Sequence, residues 1–258
     1  MLVSNAPDLN RADRDTFVIP DGTAAKMTII ASPAHQRPSP NAFIVEQSPH
    51  SKALAHFHNN SQFQVVVAGG GKIGPHAVAP LSLHYAGQQT AYGPIVAGDE
   101  GITYMTLRGI MEDNAFLLPE AKSFVDKSIP KYQTYTPVVA PVSRANLARL
   151  PAPSVQDMIA PQDGGLAAWL VRVPPGQRVA PPAHGQGAGR YYLVTEDELS
   201  LPGETLARLG CAWLDPAVAA TPIQAGASGV ELLVLQFPAN AWAFQPAARA
   251  AYQERAGA

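Results

Sequence analysis

The chain is poor in several features that would point to common classes of protein. One cysteine in 258 residues excludes an internal disulfide bond. Charged residues make up 15% of the sequence and leave a formal charge of −2, which gives no reason to expect nucleic acid or an anionic membrane as a partner. No segment reaches the roughly 18 unbroken apolar residues that a membrane helix needs. A small molecule or another protein remains as the expected partner.

The first 15 residues are polar and acidic where a signal peptide would have a basic start and an apolar run. Together with the single cysteine, this favours a cytoplasmic location.

Proline and glycine are frequent, with 25 and 21 copies, and 47% of the residues are apolar. This composition is typical of a globular chain with many turns and short strands. A length of 258 residues is more than one typical domain needs and suits two.

An internal repeat supports this division. At an offset of 128 residues, the segments 94–102 and 222–230 align without a gap and share five identical residues. At the same offset His56 aligns with His184, and Tyr85 aligns with Trp213. The sequence therefore predicts two copies of one structural unit.

Within each copy, short apolar runs are bounded by turn residues, which is typical of strands. The predicted strands are 42–46, 62–68, 81–85, 91–95, 103–107, 166–173, 191–195, 199–201, 212–214 and 230–237. Helical signals are limited to a turn at 119–126 and a tail at 246–256. We predict an all-β chain of two tandem jelly-roll barrels, with domains at 1–139 and 140–258.

The segment around His56 is the most informative for function. On a strand, His56 and His58 project to the same face, because side chains alternate with a period of two. Gln62 follows after a turn and can add an oxygen ligand, while His84 lies on a later strand. Two or three imidazoles and an oxygen suit a first-row divalent metal.

This segment resembles the first conserved motif of the cupin superfamily, His-x-His followed by Glu and later by Gly, with Gln62 in the place of Glu. The run 96–101 resembles the second motif, Pro-x-Gly-x-x-His, with Val96 for Pro and Gly101 for the ligand His. The resemblance covers both copies and implies two cupin barrels. It leaves the activity open, because this fold serves many reactions and non-enzymatic binders.

The second copy departs further from the motif. His184 keeps the place of His56, but Gln186 replaces His58 and Arg190 replaces Gln62. A guanidinium at a ligand position repels a cation, so we expect no metal in this barrel. Arg190 either binds a carboxylate of a small ligand or pairs with Glu196 or Glu198.

The leading hypothesis is a metal-dependent bicupin enzyme that acts on a small organic substrate as a lyase, isomerase or dioxygenase. The resemblance implies Mn, Fe, Ni or Zn held by His56, His58, Gln62 and His84. The candidate catalytic residues are Tyr85, Tyr92 and Tyr104 as hydrogen-bond donors and Glu100 as a base. The alternative is a metal-free binding or sensor protein. A homodimer is expected in either case, because many cupins form one.

Overall fold

The computed structural model describes residues 1–4, 13–31, 39–112, 115–218 and 221–242. Strands dominate these residues. In chain order they are β1 Leu2–Ser4, β2 Asp15–Ile19, β3 Gly22–Ala31, β4 Asn41–Gln47, β5 Lys52–Ala53, β6 His56–Phe57, β7 Gln62–Ile73, β8 His76–Val78, β9 Leu83–Ala86, β10 Ile95–Arg108, β11 Phe116–Leu117, β12 Gln133–Tyr135, β13 Ser154–Ile159, β14 Ala167–Val173, β15 Arg178–Val179, β16 Arg190–Leu201, β17 Glu204–Leu206, β18 Cys211–Leu214 and β19 Ile223–Gln236.

Helical structure among these residues is limited to a 3-10 turn at Glu120–Phe124 and one short helix, α1, at Arg144–Leu147. Neither is long and apolar enough to cross a membrane. The predicted helical tail lies outside the described residues.

The strands form two large antiparallel sheets. The first has the order β12-β9-β7-β10-β4-β3-β2, with β5 and β8 at its margins, and a separate β6–β11 pair lies beside it. The second has the order β1-β18-β16-β19-β14-β13, with β15 and β17 at its margins. We call the first sheet with the β6–β11 pair the first barrel, and the second sheet the second barrel. The prediction of an all-β fold is confirmed.

Alternating burial along the strands produces three cores. In β4, Phe43 and Val45 point into the first barrel, whereas Ile44 points outward and packs in a core shared by both sheets. In β16, Tyr191 belongs to that shared core and Tyr192 points into the second barrel. The shared core therefore joins the outer faces of the two barrels within one chain.

Several strands are longer than the sequence predicts. The strand expected at 103–107 is the end of β10, which begins at Ile95 and continues through a register shift between Ala97 and Ile102. Gly101 has a φ of +77°, which glycine adopts without steric cost. The run that resembles the second cupin motif therefore lies within a continuous strand, whose glycines accommodate the irregularity.

The strand bounds agree with the offset in the sequence. The strands β7, β8, β9 and β10 begin and end 128 residues before β16, β17, β18 and β19, respectively. One strand departs from the predicted division at residue 140, because β1 pairs with β18 of the second sheet.

Candidate functional site

The first barrel encloses a cavity of about 370 Å³. Its walls come from the inward-facing side chains of β3, β4, β7 and β10 and from the β6 region. Apolar side chains form much of the wall and the rim, where Phe17, Val18 and Leu117 are exposed. The polar side chains of the wall are Lys26, Gln47, His56, His58, Gln64, Tyr92, Tyr104, Thr106, Arg108 and Glu112.

His56 and His58 lie on the same wall, as their spacing predicts, with ring centroids 5.2 Å apart. His56 Nδ1 is 2.6 Å from the Leu54 carbonyl oxygen, so Nδ1 carries the proton and donates. The Nε2 atom then accepts from the Tyr92 hydroxyl at 2.8 Å. Burial lowers the pKa of His56, and the charge of Arg108 lowers it further. His56 is therefore neutral at physiological pH.

The guanidinium of Arg108 organises the polar wall. It donates from Nε to Gln62 Oε1 at 3.0 Å and from Nη2 to His58 Nε2 at 3.0 Å. A third bond runs from Nη1 to the Glu112 carbonyl oxygen at 2.5 Å. Its carbon lies 5.3 Å from the centroid of the Phe43 ring. Arg108 is thus a buried cation that orients two of the predicted metal ligands.

The carboxylate of Glu112 fixes the turn that follows His58. It accepts from the backbone N–H of Asn59 at 2.9 Å and from that of Asn60 at 3.1 Å. Glu112 is buried, and such charge-assisted bonds are stronger than neutral ones. Glu112 therefore positions the backbone between His58 and Gln62.

Lys26 adds a second cation to the cavity wall. Its Nζ lies 4.6 Å from the centroid of the Phe43 ring, the ring that Arg108 also approaches. Lys26 is half-buried, so its ammonium group lies where a bound molecule can reach it.

Two of the predicted tyrosines line the same cavity. The Tyr92 hydroxyl accepts from Gln62 Nε2 while it donates to His56, and burial raises its pKa far above the usual value. The Tyr104 hydroxyl accepts from Gln47 Nε2 at 3.2 Å, and burial raises the pKa of Tyr104 to about 12. Both hydroxyls are therefore protonated at neutral pH and can act as hydrogen-bond donors.

Three predicted site residues lie elsewhere. His84 is buried behind the cavity, where Gln64 and Gln133 contact its two nitrogens and burial lowers its pKa to about 3. Tyr85 points outward into the shared core, because it alternates with His84 along β9. Glu100 is exposed and does not line the cavity.

The donor atoms do not fit a divalent metal as they are arranged. A metal would need lone pairs of His56 Nε2, His58 Nε2 and Gln62 Oε1, but hydrogen bonds from Tyr92 and Arg108 engage all three atoms. The Arg108 guanidinium lies 3.0 Å from two of them and would repel a cation. Within the described ranges, no group of three or more His, Cys, Asp or Glu side chains could hold a metal ion.

Sequence reasoning missed Lys26, Arg108 and Glu112. Arg108 had a detectable signal, because Tyr104, Thr106 and Arg108 alternate on one face of a strand whose end was predicted one residue too early. Lys26 and Glu112 lie far from the histidines in sequence, and only the folded chain brings them to the cavity.

Comparisons with known proteins support the fold alone. No family model matches the chain, and no curated protein matches it. Among solved structures, it is similar to the Lactobacillus farciminis oxalate decarboxylase in complex with formate, with a TM-score of 0.56 and 15% identity over 91% of this chain and 88% of the other.

Two further structures have similar scores. A Bacillus subtilis oxalate decarboxylase with Mn(II) centres gives a TM-score of 0.51 and 12% identity over 91% of this chain and 79% of the other. The Momordica charantia 7S globulin gives 0.53 and 13% over 88% and 82%. The predicted cupin-type fold is confirmed by this likeness, while proteins of such different names share it.

Proposed function

We propose that this chain binds a small organic anion in the cavity of the first barrel, and that it does so without a metal. The observation that carries this proposal is the position of Arg108, whose guanidinium donates to His58 and Gln62 where a metal would need their lone pairs. A buried cation at this point favours a negatively charged ligand. The chain is then a binding or sensor protein, which is the alternative that the sequence left open.

The cavity indicates what kind of anion would bind. Its volume of about 370 Å³ suits a small molecule, and its walls and rim are largely apolar. Lys26 and Arg108 contribute positive charge on either side of Phe43. A carboxylate attached to an aliphatic or aromatic body matches both features, because the body buries apolar surface while the carboxylate approaches Lys26.

Two neutral groups would orient this ligand. His56 is neutral because its burial lowers its pKa, and the Tyr104 hydroxyl is protonated because burial raises its pKa. Neither adds a negative charge that would repel a carboxylate. The polar wall can therefore donate hydrogen bonds to the ligand.

A thermal-shift screen with aliphatic and aromatic carboxylates tests this proposal. A ligand at 100 times its Kd stabilises the folded state by about 2.7 kcal/mol, so a genuine ligand raises the melting temperature. We expect Lys26→Met to weaken this shift and Lys72→Met to leave it unchanged, because Lys72 is exposed and outside the cavity. An equal response in both variants would contradict the proposal.

A metal-dependent enzyme is the second candidate, because His56 and His58 do line one cavity wall and a structure of the same fold is described with Mn(II) centres. Elemental analysis of tag-free protein for Mn, Fe, Ni and Zn separates the two. About one equivalent of metal that is lost in the His56→Ala, His58→Ala double variant would favour the enzyme and overturn the metal-free proposal.

The division into domains 1–139 and 140–258, the homodimer and the cytoplasmic location stay predictions. Light scattering of the purified chain measures its mass in solution and tests the homodimer directly.

A further inference from the structure

Each barrel carries one arginine and one glutamine that face each other across its central strand pair. In the first barrel Gln62 of β7 is paired with Arg108 of β10. In the second barrel Arg190 of β16 is paired with Gln236 of β19. These positions are 128 residues apart, so the two residue types are exchanged between the barrels and the second arginine extends from the opposite strand.

This exchange places Arg190 in a cavity of its own. A space of about 390 Å³ lies where β16 begins and β19 ends, and its lining residues are Gly185, Gln186, Gly187, Gly189, Arg190, Pro216, Ala217 and Gln236. The interior of the second barrel is filled by apolar side chains such as Trp169, Tyr192 and Val194. The cavity is therefore at the mouth of the second barrel.

The charge of Arg190 is not balanced by a carboxylate among the described residues. Its guanidinium donates from Nη1 to the Pro182 carbonyl oxygen at 3.2 Å, and it forms no ion pair within those ranges. Of its two expected partners, Glu196 faces Arg208 at 3.9 Å, and Glu198 forms no ion pair there. The pairing that the sequence left open is thus not formed, and a half-buried cation lines the cavity.

A glycine-rich loop supplies further donors beside Arg190. A Cβ atom on Gly187 would lie 2.7 Å from the Phe237 carbonyl oxygen, so this loop passes close to the barrel wall. Within the described ranges, the backbone N–H groups of Gly185, Gln186 and Gly187 have no protein acceptor. Consecutive N–H groups next to a guanidinium form a concavity that suits an anion.

We infer that the mouth of the second barrel is a second, independent binding site for the oxyanion group of a small molecule, a carboxylate or a phosphate. Arg190 provides the charge, and the loop 185–189 provides backbone donors. Gln236 holds this loop in place, because its Nε2 donates to the carbonyl oxygens of Gly165 and His184. This site does not depend on the function proposed for the first barrel.

Two-dimensional ¹H–¹⁵N spectra of the full chain, titrated separately with inorganic phosphate and with acetate at constant ionic strength, test this inference. We expect saturable shifts of the amide signals of Gly185, Gly187 and Gly189. The tighter-binding anion identifies whether the natural ligand presents a phosphate or a carboxylate. Arg190→Gln should weaken the binding at least about tenfold.

Two variants guard against trivial explanations. Arg178→Gln removes an exposed arginine of β15 outside this cavity and should leave the titration unchanged. Arg190→Lys keeps a positive charge and should retain part of the affinity, even where Arg190→Gln folds poorly. The absence of saturable shifts in the wild type, or equal affinity in the wild type and the Arg190→Gln variant, would overturn the inference.

Discussion

Single side chains hold the polar wall of the first cavity in its arrangement. Arg108 and Glu112 do most of this, because one orients His58 and Gln62 and the other fixes the backbone of the turn between them. Both are charged and buried, and each satisfies groups that would otherwise lose their hydrogen bonds to water.

Replacing Glu112 tests this role. We expect Glu112→Ala to lower the free energy of unfolding by about 1–3 kcal/mol, because the backbone N–H groups of Asn59 and Asn60 lose their acceptor in a buried place. Glu100→Ala should change it by no more than about 0.5 kcal/mol, because Glu100 is exposed. Urea denaturation measures both. Equal effects of the two changes would show that the turn does not need the carboxylate.

A second residue-scale prediction concerns pH. Burial lowers the pKa of His84 to about 3 in the folded chain, whereas an unfolded histidine has a pKa near 6.5. The unfolded chain therefore binds a proton at His84 below about pH 6.5 that the folded chain does not bind. The stability that neutral His84 contributes is complete above this pH and decreases between about pH 6.5 and 3, by up to about 1.4 kcal/mol per pH unit.

The measurement is a set of urea denaturation curves between pH 7 and pH 4. The His84→Gln variant should show a weaker dependence of stability on pH than the wild type. The exposed His50 provides the control, and His50→Gln should follow the wild type. An unchanged slope in the His84→Gln variant would contradict the prediction.

At the scale of elements, glycines determine where strands and loops come close to bulky side chains. Gly109 follows β10, and a Cβ atom there would lie 1.9 Å from the ring of Trp242. That ring in turn packs against Phe237, with centroids 5.2 Å apart. The segment after β19 is thereby held against the end of β10.

We expect Gly109→Ala to displace the Trp242 ring and to destabilise the chain by about 1–3 kcal/mol, as overpacking does. Tryptophan fluorescence should shift to longer wavelength as the ring becomes more exposed to water. Gly164→Ala is the matched control, because its new Cβ would meet only Pro238, at 3.9 Å. A wild-type spectrum for Gly109→Ala would show that the ring is not held there.

The elements also show what could be predicted from sequence. Alternating apolar residues located most strands of the sheets, and the spacing of His56 and His58 placed both on one wall. The length of β10 was missed, because its glycines are typical of turns but here accommodate an irregular strand. The inward position of Arg108 and the outward position of Tyr85 depend on strand register, which a single sequence does not determine.

At the scale of the whole molecule, the two barrels contact each other through the core that their outer faces share. One polar contact crosses it, because the Tyr191 hydroxyl of β16 donates to the Arg108 carbonyl oxygen at 2.8 Å. The second barrel thus touches the backbone of the residue that organises the first cavity.

We expect Tyr191→Phe to cost about 1 kcal/mol of stability and to weaken ligand binding in the first barrel. The neighbouring Tyr192 offers the control, because its buried hydroxyl has no hydrogen-bond partner among the described residues. Tyr192→Phe should therefore be neutral or slightly stabilising. Chemical denaturation and thermal shifts with a carboxylate ligand measure both effects. A Tyr191→Phe variant that behaves like Tyr192→Phe would contradict the coupling.

The strand β1 has a consequence for the order of events during synthesis. Leu2–Ser4 belong to the sheet of the second barrel, yet they leave the ribosome roughly 200 residues before their partners in β18. The second sheet therefore cannot be completed until nearly all of the described chain has emerged. Until then β18 has an uncovered edge, and a fragment that begins at residue 140 keeps that edge permanently exposed to pairing with other chains.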